Sequence, residues 1–481
     1  MRRFAAVQAV LLLTGGATTG GIGRLDSDGA RPGPGRAHDP VDRTVHLSRT
    51  RAYAIVIAAC ALPRLGVLIH ERDAILSNFE KSQLLAQMFL HDGTFGYVPG
   101  HPSAYTQPLY GFFLIPVFWI GGFHWWSVGA AQLLVAISTS LVVFESGRRF
   151  LSPRIGLIAA IVATLQPYLI WHDLHGNREI LDQLLGASLF GLTHLAATPR
   201  TVWTAVAVGA VGGLAVLSNA RLLLLPVALA LFLLWRRVGW VAAVAVPVVA
   251  AIVMAPWVIR NKAELGCFAI TTDGRALWKA NNLETYGVLS RGEWIDQVRD
   301  IPPRAGGPGT YGVKWFTADE AGREYRQNGK ILSVPECAQQ SYYDHLVFQF
   351  WEHHPGAKAK LAVQATEMLW NPKVGIEGAQ ESGVDALRRY VEPLYTVPLF
   401  LLALAGLFFV PPVFRALALL FVFYETAAAW VFAGTTRYRV SWDFVLALLA
   451  SAAIDRVWVL VRDRSRREAL GHRRGLAGGN P

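Results

Sequence analysis

The chain has 481 residues, of which 53% are hydrophobic and 16% charged, and its mean hydropathy is +0.33. This composition excludes an ordinary soluble globule and is typical of a polytopic membrane protein. The formal net charge of +11 does not indicate nucleic acid, because Lys and Arg accumulate in the cytoplasmic segments of membrane proteins. We therefore predict the lipid bilayer as a partner and no nucleic-acid partner.

The first 50 residues imitate a signal peptide at their start, where two arginines precede a short apolar run. The stretch that follows is rich in Gly, Pro and Arg. Such a stretch buries too little apolar surface to fold, and its positive charge favours the cytoplasm. We predict a disordered basic cytoplasmic arm over residues 1–50.

Ten apolar segments are suited to cross the roughly 30 Å hydrocarbon layer as helices. They lie at about residues 52–70, 126–146, 154–171, 180–196, 201–218, 221–235, 238–258, 393–410, 414–433 and 441–460. With the N-terminus in the cytoplasm, the basic loops and the tail at 461–481 all face inward. The predicted fold class is an all-α polytopic protein of the plasma membrane with a transmembrane module at 51–259 and C-terminal transmembrane helices at 392–460.

One further apolar stretch, at 107–123, does not fit this alternation of spans across the membrane. If it crossed the bilayer, the basic loops that follow would face outward, so we interpret it as a juxtamembrane or re-entrant element. The extracytoplasmic face then receives a first loop at 71–107 and a segment at 260–391, which we predict to form a small mixed subdomain. Cys267 and Cys337 fall in this segment, where a disulfide is possible but not required.

In the first external loop, Leu84, Leu85, Met88 and Phe89 recur with a helical period. The pattern predicts an amphipathic helix at the membrane interface, with Glu80 in its first turn. A carboxylate at that position could have a function, but acids also favour helix N-termini for electrostatic reasons alone.

The second external loop contains a concentration of titratable residues. Glu179 and Asp182 lie one helical turn apart at the start of a span, where acids are costly unless they have a role or are hydrated. His172, Asp173 and His175 have metal-ligand chemistry without a diagnostic zinc spacing. No cofactor is certain, and a divalent metal remains possible.

Four arginines lie at the external ends of spans, where the basic-loop rule would not place them: Arg221, Arg260, Arg437 and Arg439. Arginine binds phosphate and carboxylate groups through several donors at once. These residues therefore indicate an anionic substrate at the outer leaflet.

The order of these features resembles that of the GT-C superfamily of membrane-embedded glycosyltransferases. The similarity is to the bacterial 39-like family related to the dolichyl-phosphate-mannose protein mannosyltransferases and the lipopolysaccharide sugar transferases. It extends over about residues 50–460, and PWVIRN is its most specific part. The pieces that carry it are the first-loop acid and helix from Glu80 to Tyr97, PSAYTQPLYGFFL, Glu179, PWVIRN with its sequel GCF, TTDG and NN, and RYR.

The resemblance implies a polyprenyl-phosphate sugar as donor and a glycan, lipid or protein as acceptor. The lipid tail would remain between helices while its phosphate and sugar sit at the external surface. On this reading Arg260 meets the phosphate and Asn261 orients the sugar. TTDG with Asn281 and Asn282 then turns the chain back over the pocket.

The implied mechanism is attack of an acceptor hydroxyl on the anomeric carbon, with Glu80 as general base. The family more often has Asp in this loop, so Asp73 and Glu71 remain rivals. Glu179 is expected to orient the acceptor or to hold a metal. Since no counter-charge for them is evident, the arginines at 260, 437 and 439 are expected to converge on one anionic pocket, where they would offset charge on the leaving phosphate.

Two other classes of function remain open. A transporter or flippase of lipid-linked sugars would need polar residues at mid-membrane on several helices, and commonly repeated spans. A non-catalytic membrane scaffold would leave the external acids and arginines scattered. Convergence of those residues on one site is therefore the feature that separates an enzyme from a scaffold.

Overall fold

The computed structural model describes residues 48–76, 81–198, 201–299, 315–373 and 383–477. Residues 1–47 of the predicted cytoplasmic arm lie outside this range. The helices are α1 (Arg49–His70), α2 (Lys81–Asp92), α3 (Pro108–Gly121), α4 (Trp125–Phe150), α5 (Pro153–Thr164), α6 (Pro167–His172), α7 (Glu179–Ala197), α8 (Val202–Ser218), α9 (Leu225–Trp235), α10 (Trp240–Leu265), α11 (Gly274–Lys279), α12 (Thr285–Ser290), α13 (Ala318–Asn328), α14 (Glu336–His353), α15 (Pro355–Leu369), α16 (Gly383–Gly406), α17 (Pro412–Val431), α18 (Thr436–Val440) and α19 (Asp443–Ala477).

Six described helices are long and apolar enough to cross a membrane: α1, α4, α7, α10, α17 and the first part of α19. Shorter apolar helices occupy the other predicted spans, and α3 occupies the stretch at 107–123. Each of the ten predicted spans therefore coincides with helical structure. The all-α polytopic membrane class is confirmed.

Two predicted spans are interrupted in the structure. The span at 154–171 breaks between α5 and α6, because Pro167 disfavours helix continuation and the Gln166 side chain instead accepts a hydrogen bond from the Leu169 backbone N–H at 3.0 Å. The span at 221–235 begins with a short 3₁₀ turn over Ala220–Leu222 before α9 starts. This turn positions the side chain of Arg221.

The membrane helices pack through small residues and aromatic rings. Gly209 and Gly213 of α8 form a G-x-x-x-G pair, and a Cβ at either position would lie 2.6 or 2.7 Å from a backbone oxygen of α10. Such small-residue faces let helices approach closely where no hydrophobic effect drives their association. Deeper in the bundle, Phe190 of α7 packs edge-on against Phe414 and Phe421 of α17.

The predicted helix of the first loop is present as α2, and one of its faces is buried against the rest of the protein. Ser82, Gln83, Leu85 and Ala86 are buried, whereas Phe89 is 40% exposed. The reason is that α2 packs against α3 and the following ribbon rather than lying alone at the interface.

That ribbon has two antiparallel strands, β1 (Gly96–Val98) and β2 (His101–Pro102). Only glycine fits at position 96, because a Cβ there would lie 2.0 Å from the His101 carbonyl oxygen. The ribbon packs against α13 of the external segment (residues 260–391, named for their predicted placement). At this contact Gly322 leaves room for Tyr97. The first loop and the external helices thus form one mixed subdomain.

Two further contacts tie the external segment together. Cys267 and Cys337 form a disulfide with Cα atoms 5.9 Å apart, so the pairing left open by the sequence is made. At Gly434, between α17 and α18, a Cβ would lie only 1.9 Å from the Ala365 carbonyl oxygen of α15. The backbone leading into α18 therefore runs directly against the external segment.

Candidate functional site

An ion pair between the buried Glu179 and the partly exposed Arg437 joins the loop at residues 172–179 to the RYR segment. Nη2 of Arg437 on α18 lies 2.9 and 3.0 Å from the two carboxylate oxygens of Glu179, the first residue of α7. Glu179 is 1% exposed, with His172 Nε2 at 3.7 Å and Arg178 Nε at 4.0 Å. Burial disfavours a charged arginine, yet the adjacent carboxylate raises the pKa of Arg437 well above its usual value. Arg437 is therefore held as a cation.

Arg221 contacts Tyr438, the residue after Arg437 in the sequence. Its guanidinium carbon is 4.0 Å from the centre of the Tyr438 ring, and Nη2 is 3.6 Å from the Glu425 carboxylate. The residue is 8% exposed, and none of its three guanidinium nitrogens has a hydrogen-bond partner among the described residues. A buried guanidinium without hydrogen bonds is costly unless a ligand supplies acceptors.

Asp182 sits one turn into α7, below Glu179. Its two carboxylate oxygens accept hydrogen bonds from Ser218 Oγ at 2.7 Å and Asn219 Nδ2 at 2.9 Å. These donors belong to the turn that carries Arg221, so Asp182 fixes that turn against α7.

Arg439 has different neighbours from Arg437. It is 1% exposed, with Nε 3.4 Å from the Asp443 carboxylate and Nη1 donating to the Asn371 carbonyl at 3.2 Å. Residues two apart on a helix point to nearly opposite sides, which explains the separation. Arg439 ties α18 to α19 and to the end of the external segment.

Arg260 has a third set of partners. Its two Nη atoms donate to the carbonyl oxygens of Ser103 at 3.0 Å and Phe95 at 3.1 Å, both in the first loop. Asn261 is buried and donates to the Ala269 carbonyl at 2.8 Å. These two residues therefore join the end of α10 to the ribbon and to the following turn.

Among the residues that the structure describes, the three arginines expected to converge share no partner. The premise that they lack counter-charges is wrong for two of them, since Arg437 pairs with Glu179 and Arg439 with Asp443. Arg221, which was not among the three, contacts Tyr438 beside Arg437.

Asn281 and Asn282 act at a junction of the external segment with α17. Asn281 Nδ2 donates to the Val431 carbonyl at 2.8 Å, while its Oδ1 accepts from Trp351 Nε1 and from Lys358 Nζ. Asn282 donates to the Trp278 carbonyl at 3.0 Å. The terminal NN pair thus holds the polar segment onto the outer end of a membrane helix.

The three residues considered for a metal point to different partners. His172 faces Glu179, His175 Nε2 lies 3.1 Å from Glu71, and Asp173 forms a 2.7 Å ion pair with Arg64. Among the residues that the structure describes, no group of three or more His, Cys, Asp or Glu side chains could hold a metal ion.

Glu80 lies outside the described residues, but its neighbour Lys81 is described. Lys81 Nζ lies 3.4 Å from the Asp319 carboxylate of α13 and 4.7 Å from the centre of the Tyr105 ring. Although burial opposes it, the Lys81 ammonium lowers the pKa of Asp319. The start of α2 is thereby tied to the external segment.

The rivals of Glu80 have distinct surroundings. Glu71 accepts a hydrogen bond from Trp171 Nε1 at 2.7 Å and faces His175. The Asp73 side chain is 92% exposed and lies 3.8 Å from Arg72. Glu71 is thus engaged in packing the two external loops, and Asp73 faces solvent.

Sequence reasoning missed several members of the cluster. Glu425 interrupts the otherwise apolar helix α17, and an intramembrane acid is itself a signal of function. Asp273 of TTDG is the partly buried N-cap of α11, and its desolvation raises its pKa. Nothing in the sequence indicated a function for Arg178 or Lys81 except that each lies next to an acid, Glu179 and Glu80 respectively.

The geometry defines a polytopic membrane protein with arginine–carboxylate pairs where its apolar helices meet the polar segment at 260–391. Residues 101–259 match the family model of dolichyl-phosphate-mannose-protein mannosyltransferases. The match includes the loop with Glu179 and the turn with Arg221, and ends one residue before Arg260. The resemblance to GT-C glycosyltransferases is confirmed over this region.

No curated protein matches the chain. Two kinds of solved structure are similar to it. The oligosaccharyltransferase of Archaeoglobus fulgidus in the apo form is 14% identical with a TM-score of 0.49, covering 88% of this chain and 52% of its own. ArnT from Cupriavidus metallidurans bound to undecaprenyl phosphate is 13% identical with a TM-score of 0.37, covering 85% of this chain and 79% of its own. The chain thus spans about half the length of the archaeal structure.

Proposed function

We propose that this protein is a membrane glycosyltransferase of GT-C type. It moves a sugar from a polyprenyl-phosphate donor to a hydroxyl acceptor at the extracytoplasmic face of the plasma membrane. The observation that carries the proposal is Arg221, a buried arginine with no hydrogen bond from its guanidinium nitrogens to the described residues. It contacts the ring of Tyr438, the residue after Arg437 in the sequence, and Arg437 pairs with Glu179.

The donor phosphate binds beside Tyr438, between Arg221 and Arg437. A phosphate there supplies the acceptors that the Arg221 guanidinium lacks and draws on the positive charge of Arg437. As the bond to the sugar breaks, the same two cations stabilise the charge that builds on the leaving phosphate. Glu179 holds Arg437 in position, rather than binding the acceptor itself.

Glu80 is the general base. The acceptor oxygen forms a bond to the anomeric carbon, the bond from that carbon to the phosphate oxygen breaks, and Glu80 takes the hydroxyl proton. The ion pair between Lys81 and Asp319 supports this assignment, because it fixes the residue next to Glu80 against the external segment.

The extracytoplasmic placement has two independent supports. Because successive predicted spans alternate in direction across the membrane, the basic loops and the tail are all assigned to one side. The disulfide between Cys267 and Cys337 lies in the polar segment assigned to the other side, and disulfides persist in oxidising compartments. The segment from about 262 to 391 is accordingly outside.

Two of the predicted residues, Glu179 and Arg437, meet in one cluster with Arg178 and His172, which supports an enzyme over a scaffold, whereas Arg260 and Arg439 have other partners. The direct test uses purified protein in lipid nanodiscs with a panel of labelled polyprenyl-phosphate sugars. We expect sugar transfer or release, and its loss in Arg221→Gln. Movement of intact labelled lipid across proteoliposomes, with no sugar released, would instead establish a flippase.

A further inference from the structure

A cavity of about 440 Å³ opens between the first-loop ribbon and the external segment. Its walls are the ribbon, the end of α10, the start of α13 and the chain from Leu332 to Ala338. Its volume lies within the range of small-molecule sites, which is roughly 300–1,000 Å³. The arginine cluster around Tyr438 contributes no residue to its lining.

The cavity lies next to the segment that carries the base in the proposed mechanism. The lining residue Ala318 directly precedes Asp319, whose carboxylate is 3.4 Å from Lys81. On the other wall, the Tyr97 ring packs against Tyr105, whose hydroxyl is 3.5 Å from Lys81 Nζ. Residues on two walls of the cavity are therefore connected, through Asp319 and Tyr105, to Lys81, the residue after Glu80.

The polar groups in the lining define the charge that the cavity accepts. Glu264, Glu336 and His101 line it, and none of the described residues that line it is Lys or Arg. Glu336 is 6% exposed and fixed by hydrogen bonds from the Ala104 backbone N–H at 3.0 Å and Thr272 Oγ1 at 2.6 Å. Arg260 lies behind this wall, where it donates to the Ser103 carbonyl and balances the charge of Glu264 and Glu336. The cavity therefore offers a ligand no unpaired cation and favours an uncharged one.

The walls also disfavour an extended peptide. Strand addition needs a free edge with backbone N–H groups. Strand β1 pairs with β2 on one side, and α13 covers it at Gly322. Pro102 and Pro335 line the cavity and have no N–H to donate.

We propose that this cavity binds the acceptor, and that the acceptor presents an uncharged saccharide of about two sugar units. Its hydroxyls face Glu264, His101 and Ser103, and its apolar ring faces lie on Val98 and Val334. This inference rests on the proposed transferase function, since it names the acceptor class for that site.

The test measures saccharide binding without any donor, by saturation-transfer NMR in phosphatidylcholine nanodiscs. The probes are uncharged methyl disaccharides (maltoside, cellobioside, lactoside and mannobioside), a phosphorylated maltoside and a short unmodified peptide. We expect at least one uncharged disaccharide to bind, with the phosphorylated sugar and the peptide at least tenfold weaker. Binding of the peptide alone, or of no disaccharide, would overturn the proposal.

Two variants localise the binding. Ala338→Trp fills the cavity and should weaken disaccharide binding at least tenfold, whereas Ala359→Trp, at an exposed position on α15, should not. Equal binding by both overturns the assignment. If Ala338→Trp fails to fold, Glu264→Lys carries the test: it should admit the phosphorylated sugar, and unchanged discrimination contradicts the proposal. Undecaprenyl phosphate binding, measured separately, reports on the donor site and hence on the transferase function.

Discussion

Nη2 of Arg437 lies between the two carboxylate oxygens of Glu179, at 2.9 and 3.0 Å, although the residues are 258 positions apart in sequence. The pair joins the first residue of a membrane helix to a short helix near the C-terminus. Glu179 is buried whereas the Arg437 side chain is 34% exposed, so removing Arg437 leaves a buried carboxylate without its counter-charge, which destabilises the site. The two residues should therefore behave as one unit.

We expect Glu179→Gln and Arg437→Gln each to lower sugar transfer by at least tenfold. The double variant should be no worse than Arg437→Gln alone, because Glu179 acts through Arg437. The measurement is a double-mutant cycle on kcat and KM for the donor. Strictly additive losses would mean that Glu179 has its own role toward the acceptor.

Replacing Arg221 by Lys should weaken binding of undecaprenyl phosphate by about tenfold or more, because a lysine cannot offer several donors in the arginine geometry. Arg439→Lys is the matched comparison, since Arg439 is buried on the same short helix as Arg437 but pairs with Asp443. It should lower the melting temperature rather than the affinity. Equal affinity losses in both variants would remove the special role of Arg221.

Glu80→Gln should lower kcat by about 10²–10⁴ and leave donor binding intact, because the substitution removes the proton acceptor and little else. Glu71→Gln should mainly reduce stability, since Glu71 accepts from Trp171 and faces His175. Asp73→Asn should be near wild type. If Glu80→Gln turns over normally while Asp73→Asn or Glu179→Gln is inactive, the base belongs to that other position.

The topology can be read by cysteine labelling in intact cells. The single free cysteine among the described residues, Cys60, is buried, and the other two are paired, so background reaction with a membrane-impermeant maleimide should be low. Asn328→Cys should react from outside, and Ser465→Cys only after permeabilisation. The reverse labelling pattern would assign the active site to the cytoplasmic face of the membrane.

Burial lowers the pKa of Lys358 to about 8, where its ammonium contacts the Trp430 carbonyl at 2.6 Å. Between about pH 8 and its usual value near 10.5, the unfolded chain holds a proton that the folded chain has released. The free energy of unfolding should therefore rise with pH across this window, by on the order of 3 kcal/mol.

Melting curves measured at several pH values test this slope. Lys358→Met should flatten it, and Lys360→Met, at an exposed position two residues away, should not. A slope that survives in Lys358→Met would assign the effect to another group.

The sequence predicts the membrane helices well, because a spanning segment must satisfy its own backbone and expose apolar side chains to lipid. The break at Pro167 is a local property of the chain that a hydropathy window averages out. The residues that α2 buries against the protein could not be predicted in the same way, because its neighbours α3 and the ribbon are set by tertiary packing.

The residue types of the candidate site could be predicted from the sequence, but which of these residues contact each other could not. External arginines and the acid at 179 were found because each departs from the rules for membrane sequences. Which arginine meets which carboxylate depends on helix positions that are far apart in sequence. Arg439 and Arg437 differ by two residues, yet one faces Asp443 and the other Glu179.

The contact at Gly434 leaves no space for even a methyl group against Ala365. Helix α15 and the turn that leads into Arg437 must then move as one body, since packed backbone cannot slide without opening a gap. We therefore expect the two proposed substrates to affect each other's binding, because a shift of the external segment is transmitted to the helix that carries Arg437. Such coupling is measured as a disaccharide affinity that changes when undecaprenyl phosphate is bound, and it must be reciprocal.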